Sequence, residues 1–151
     1  MTDTEAVLNE FLVTVFNDIL RLEEMNLQGG PNKDLSVSEM HVLEAVENTA
    51  GESADGAGMA EVAAKLAVTS GTLSVAVKTL EQKGYLVRRR ACRDKRRVIV
   101  DLTEKAVPAL RHHTAFHEAL VARAAAHLSE QQTQALIAAL TSLHEFFTET
   151  D

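Results

Sequence analysis

The chain has 151 residues, enough for about one domain with a real core. Hydrophobic residues make up 46% of it, aromatics only 4%, and Trp is absent, so the core is Ala, Leu and Val and favours helices. A formal net charge of −7 would argue against nucleic acid if it were evenly spread. The single cysteine excludes an intramolecular disulfide framework, and neither a leader nor an apolar run of membrane-spanning length is visible; a cytoplasmic protein without membrane contact is expected.

Thr4 to Leu27 reads as the first helix. Leu8, Phe11, Leu12, Val15, Phe16, Ile19 and Leu22 form a wide apolar stripe at helical spacing, suited to ordinary core, to dimerisation, or to both. Gly29-Gly30-Pro31 breaks this helix. Ser36 and Glu39 form a capping box that opens a second helix to Glu47, with Val37, Met40, Leu43 and Val46 inward and His41 at the side of that face. The small, polar stretch Thr49 to Gly58 reads as a flexible surface loop carrying no site.

Met59 to Leu66 is a third helix, and Ala67-Val68 a turn. Thr69 is a good N-cap for a fourth helix, Ser70 to Lys83, whose Leu73, Val77 and Leu80 face the core; Gly84 stops it. Ser70, Thr72, Ser74, Val75 and Lys78 lie between those apolar positions, mostly short hydrogen-bonding side chains with one cation, suited to a major groove. Two β-like runs follow, Tyr85 to Arg89 and Val98 to Leu102, around the loop Arg90-Ala91-Cys92-Arg93-Asp94-Lys95-Arg96-Arg97. Like charges crowded at a hairpin tip repel, so packing does not ask for them. From Met59 to Lys105 there are eleven basic and five acidic residues, a net +6; the remainder holds four basic and seventeen acidic, a net −13. A positive module inside a negative body is the footprint of a localised phosphate-binding face.

Thr103 is placed to cap the next long helix, with Pro108 early in it, and Val107 to Leu128 carries Leu110, Phe116, Leu120 and Val121. Ser129 with Gln132 is a second capping box, opening a last helix with Leu136, Ile137, Leu140, Leu143, Phe146 and Phe147 apolar.

The helix–turn–helix followed by Lys83-Gly84-Tyr85-Leu86, Asp94-Lys95-Arg96-Arg97 and Leu102-Thr103-Glu104-Lys105 resembles the MarR family of bacterial transcription regulators, although Ala106 stands where the family usually has glycine. The resemblance implies an all-α chain with a small β wing, a winged helix–turn–helix in a dimeric architecture. One domain spans 1–151, with 36–103 binding DNA and 4–35 with 104–151 dimerising. Double-stranded DNA is the expected partner, read as a pseudo-palindrome by a homodimer, because one recognition helix makes too few base contacts. Thr69, Ser70, Thr72 and Ser74 are expected at base edges or nearby phosphates, and Lys78 on phosphate. The resemblance puts Arg96 in the minor groove, positioned by Asp94; Arg89, Arg90, Arg93, Lys95 and Arg97 would neutralise phosphates.

Leu22-Glu23-Glu24-Met25-Asn26-Leu27, Ser38-Glu39-Met40-His41, Thr69-Ser70-Gly71-Thr72-Leu73 and Phe116-His117-Glu118-Ala119-Leu120-Val121 are similar to the branch that represses type II fatty-acid biosynthesis genes. That likeness implies long-chain acyl-acyl carrier protein as co-repressor and no cofactor, with Phe16, Glu24, Met40, His41, His113, Phe116 and His117 around a ligand pocket. The alternative is zinc: His113 and His117 stand at i, i+4, which is metal-ligand spacing, and His41 could join them, with Glu23 and Glu24 near. No nucleophile elbow, phosphate loop or dense carboxylate cluster supports an enzyme. The rival from another class is a winged helix that binds protein and not DNA.

Overall fold

The computed structural model of the protein describes residues 1–149. It divides into one compact unit from Met1 to Thr114 and a second from Ala115 onward. The first holds α1 (Asp3–Gly29), α2 (Val37–Glu52), β1 (Ala57–Gly58), α3 (Met59–Lys65), α4 (Ser70–Gln82), β2 (Leu86–Arg90), β3 (Val98–Leu102) and the start of α5 (Ala106–Ala126). The second holds the rest of α5 and α6 (Glu130–Glu149).

Helix boundaries follow their caps. Thr2 accepts from the Glu5 amide while the Glu5 carboxylate takes the Thr2 amide, so α1 starts ahead of the expected Thr4. Ser36 and Glu39 close the same box on α2, and Ser129 and Gln132 on the start of α6. Thr69 caps α4 by accepting from the Thr72 amide at 3.1 Å. Ala67, between α3 and α4, takes the left-handed conformation at φ 52°, and the α3–α4 pair bends by 107°. Gly84, at φ 85°, ends α4 in a region that costs other residues energy.

The core of the first unit is built from the predicted inward faces. Met40, Leu43 and Val46 of α2, Val62 of α3, and Leu73, Val77 and Leu80 of α4 are fully buried with Tyr85, Leu86 and Val100. The sheet has the antiparallel order β1-β3-β2. β2 and β3 pair from Leu86↔Leu102 to Arg90↔Val98, so β2 keeps the expected five residues but is shifted by one from Tyr85–Arg89 toward the basic loop.

Two expectations need correction. Thr49–Gly58 is not one loop: α2 runs on to Glu52, and Ala57–Gly58 pairs with Val100 and Ile99 as an edge strand, with Ala57 fully buried. Thr103 does not cap α5 with its side chain. Its hydroxyl donates to the Gly84 carbonyl at 2.6 Å, tying the end of β3 to the end of α4, and α5 starts at Ala106. Pro108 then lies in the first turn of α5, where a missing amide costs nothing.

The apolar stripe of α1 is exposed, with Leu8, Phe11 and Phe16 each more than half accessible. In the second unit no residue of α6 is buried, and Ile137, Leu140, Phe146 and Phe147 are likewise more than half accessible. No single helix among the described residues is long and apolar enough to cross a membrane.

Candidate nucleic-acid interface and a buried Glu–His cluster

The wing tip is shaped by one carboxylate. The Arg97 amide donates to the Asp94 carbonyl at 3.0 Å, closing a turn, and the Arg96 amide donates to the Asp94 carboxylate at 3.0 Å. Aspartate is suited to this position because its side chain satisfies the backbone two residues on. The Ala91 amide bonds to the Arg97 carbonyl, and Ala91 is buried, so the neck of the loop is closed while its tip stands in solvent.

The basic residues of the hairpin, together with Lys78, fall into two groups. Arg88, Arg89 and Arg97 are held by carboxylates: Arg88 by Glu81 at 2.7 Å, Arg89 by Asp101 at 2.5 Å, and Arg97 by Glu61 and, at 3.8 Å, Asp55. The Asp101 hydrogen bond pushes the Arg89 guanidinium pKa up, so it stays charged. Glu61 and Arg97 meet over Gly58, where a side chain would run into both groups. Arg90, Arg93, Lys95, Arg96 and Lys78 are exposed, and no ion pair to a carboxylate is found for them among the described residues; Arg90 donates to the Lys95 carbonyl at 3.2 Å. These five are free to meet phosphate.

The structure brings wing and helix together. A cleft of about 470 Å³ is lined by Ser70 and Ser74 of α4, Arg88, Arg96 and Arg97 of the hairpin, and Met59. The Thr69 and Thr72 hydroxyls bond to each other at 2.9 Å, so part of their capacity serves the cap. Arg88 was not among the expected contacts. The signal that finds it is strand alternation, since it faces the same side as Arg90.

Of the residues expected around a ligand pocket, the structure brings His41 and His113 together, with ring centroids 6.0 Å apart. Met40 is in the core, Phe16 is exposed on α1, and Phe116 and His117 lie in the second unit with ring centroids 5.1 Å apart. Glu24 lines a cleft of about 620 Å³ with Leu20, Leu27, Leu35, Glu39 and Lys83. Of the histidines expected for zinc, His41 and His113 gather with Glu23, while His117 lies in the second unit. His41 Nε2 lies 3.1 Å from the Glu23 carboxylate, His113 Nε2 lies 3.4 Å from Glu44, and the two rings are 6.0 Å apart. Glu23, His41 and His113 each offer a ligand atom within 4.8 Å of the others, and Glu23 and His113 are buried. Two nitrogens and a carboxylate oxygen at this closeness suit zinc or a similar divalent ion.

A second polar network ties the loop between α1 and α2, and α2 itself, to the end of α4 and the turn before α5. Tyr85 is fully buried; its hydroxyl donates to Asp34 at 2.6 Å and accepts from Asn32 at 2.9 Å. Lys105 lies 4.4 Å over the ring, and Lys83 pairs with Glu39 at 2.8 Å. Burial first, then the Asp34 bond, push the Tyr85 pKa up to about 12. The same bond lowers the Asp34 pKa below its ordinary value.

A MarR family model matches residues 33–97. FabT of Streptococcus pneumoniae, solved in complex with DNA, is 33% identical over 97% of this chain and 99% of its own, with a TM-score of 0.88. MepR of S. aureus, also solved with DNA, is 20% identical over 91% of this chain and 96% of its own, with a TM-score of 0.77. BldR, a transcriptional regulator of Sulfolobus solfataricus, is 22% identical over 96% of this chain and 99% of its own, with a TM-score of 0.68. The last two show the fold alone. No curated protein sequence matches the chain.

Proposed function

The chain belongs to the MarR family of DNA-binding regulators, and from that premise we propose that it is a homodimeric repressor of fatty-acid biosynthesis genes with long-chain acyl-acyl carrier protein as co-repressor. The observation that carries the DNA half of this reading is the exposed cationic tip, for whose Arg90, Arg93, Lys95 and Arg96 no ion pair is found among the described residues, beside the exposed start of α4. Arg96 enters the minor groove, where narrow A·T-rich stretches concentrate negative potential. Arg90, Arg93, Lys95 and Lys78 neutralise phosphates, and Ser70 and Ser74 lie at base edges or the phosphates beside them. Arg89 and Arg97, already bound to carboxylates, stiffen the wing more than they add charge to DNA.

Dimerisation is supported by the exposed apolar rows of α1 and α6, which a soluble monomer rarely carries. Two copies place two recognition helices about one helical turn apart, roughly 34–36 Å. A regulator of chromosomal operators works in the cytoplasm. The fatty-acid role is supported by the sequence motifs of that branch and by the likeness to FabT.

A second reading is favoured by the Glu23–His41–His113 group: a divalent metal, zinc above all, bound there as effector. Fluorescence anisotropy separates the readings. The duplex is the DNA upstream of the chain's own gene and of fatty-acid genes, with acylated carrier, unacylated carrier, zinc, zinc plus chelator, or no addition. Tightening by the acylated carrier alone supports the co-repressor reading. Equal effects of both carrier forms remove it, because a ligand shifts only what it binds differentially. Tightening by zinc, reversed by chelator, puts the metal reading in its place. Absence of DNA binding under every condition leaves the protein-binding winged helix.

A further inference from the structure

Opposite the buried row Leu73, Val77 and Leu80, α4 presents Gly71, Val75, Lys78 and Gln82 on successive turns, all exposed. Val75 is 69% accessible, more than any other large apolar side chain between 36 and 103. It has no packing role in the chain, and a β-branched residue weakens a solvent-facing helix relative to alanine. Gly71, one turn before it, weakens the helix further. The fold does not require a glycine there: its φ is not in the left-handed region, and an added Cβ would meet only the Thr69 hydroxyl, at 3.9 Å. An apolar side chain and a missing one thus sit side by side on the face that folding leaves free.

We infer that Val75 reads the 5-methyl group of a thymine in each half-site, with Gly71 letting the start of α4 sit close against the bases. This rests on the DNA-binding reading above. Among the four bases only thymine offers an apolar group to the major groove, so it is the partner a lone exposed valine can recognise without leaving a polar edge unpaired. The flanking groups agree: Lys78, a cation, is one turn further on and exposed, and Ser70 and Ser74 line the cleft shared with Arg96. The neighbouring hydroxyl of Thr79 is spent on the Val75 carbonyl at 3.2 Å and does not compete for the base.

The test uses duplexes that the wild-type protein selects from a random-sequence pool. Each thymidine is replaced in turn by deoxyuridine, which removes only the methyl group. At one thymine per half-site the wild type should lose about fourfold in affinity, the value of one methyl taken out of water. Val75→Ala should lose less than twofold at that position and match the wild type at the others. Gly71→Ala, which has room within the fold, should unfold no more easily than wild type yet bind at least tenfold more weakly. A deoxyuridine profile identical in wild type and Val75→Ala overturns the thymine contact. Wild-type affinity in Gly71→Ala overturns the close seating. Selection of no duplex at all overturns the DNA-binding reading and this inference with it.

Discussion

Replacing Tyr85 by Phe removes one oxygen from the centre of the network between Asp34, Asn32, Lys83 and Lys105. The hydroxyl's bond to the Asp34 carboxylate, at 2.6 Å, is of the charge-assisted kind, worth roughly 1.5–3 kcal/mol. Asp34 is half-exposed and recovers water when the bond is lost, so the loss should be about 2 kcal/mol. The ring remains, so no cavity opens. At fixed protomer concentration the thermal midpoint should fall by about 4–8 °C, with no loss of helix in the circular dichroism spectrum. The pH dependence gives a second check. The folded pKa of Tyr85 is raised from 10.0 to about 12, so its contribution is complete below pH 10 and lost as pH rises toward 12. At about pH 11 the wild type should have lost about 1.4 kcal/mol that the Phe variant never had, and the gap between them should shrink below about 1 kcal/mol. A variant within about 0.5 kcal/mol of wild type at neutral pH, or a gap that stays constant up to pH 11, would refute the reasoning.

Arg96→Ala should weaken operator binding by more than ~1 kcal/mol and leave denaturant unfolding unchanged, because the side chain is exposed; unaltered affinity would remove the wing tip from the mechanism. The depressed pKa of Asp34 stabilises the fold above the ordinary carboxylate pKa and is lost as pH falls through the folded value. Urea midpoints of Asp34→Asn should therefore depend less on pH below about 4 than those of the wild type, and parallel curves would contradict this. On the metal reading, calorimetry should show one zinc ion per protomer, at least tenfold weaker in His41→Ala; no binding, or equal affinity in the variant, would leave the Glu23–His41–His113 group as packing alone.

What was legible in the sequence is what local chemistry decides. The capping boxes at Ser36 and Ser129, the Thr69 cap, the Gly84 stop and the inward row Leu73, Val77 and Leu80 depend on residues within one or two turns, and all are found in place. The structure departs from the reading where partners are distant. Ala57–Gly58 becomes a strand because β3, forty residues on, offers it an edge. Thr103 turns to the Gly84 carbonyl, nineteen residues back. Arg97 and Arg89 were counted with the other cations, since nothing local shows that Glu61 and Asp101 wait for them. Glu23 and Glu24 are adjacent in sequence but about 100° apart on the helix. Only the packing of α1 decides that Glu23 turns inward to His41 while Glu24 faces the larger cleft.

In the proposed function Lys78, Arg90, Arg93 and Lys95 of each protomer sit on DNA phosphate and Arg96 enters the minor groove. Anisotropy of a labelled operator duplex, titrated with the wild-type protein from about 50 to 200 mM salt, tests it most directly. Log affinity should fall linearly with log salt, with a slope of about −7 for a dimer in which Lys78, Arg90, Arg93 and Lys95 of each protomer meet phosphate, since roughly 0.9 ions leave per phosphate neutralised. An affinity that does not change with salt would contradict it.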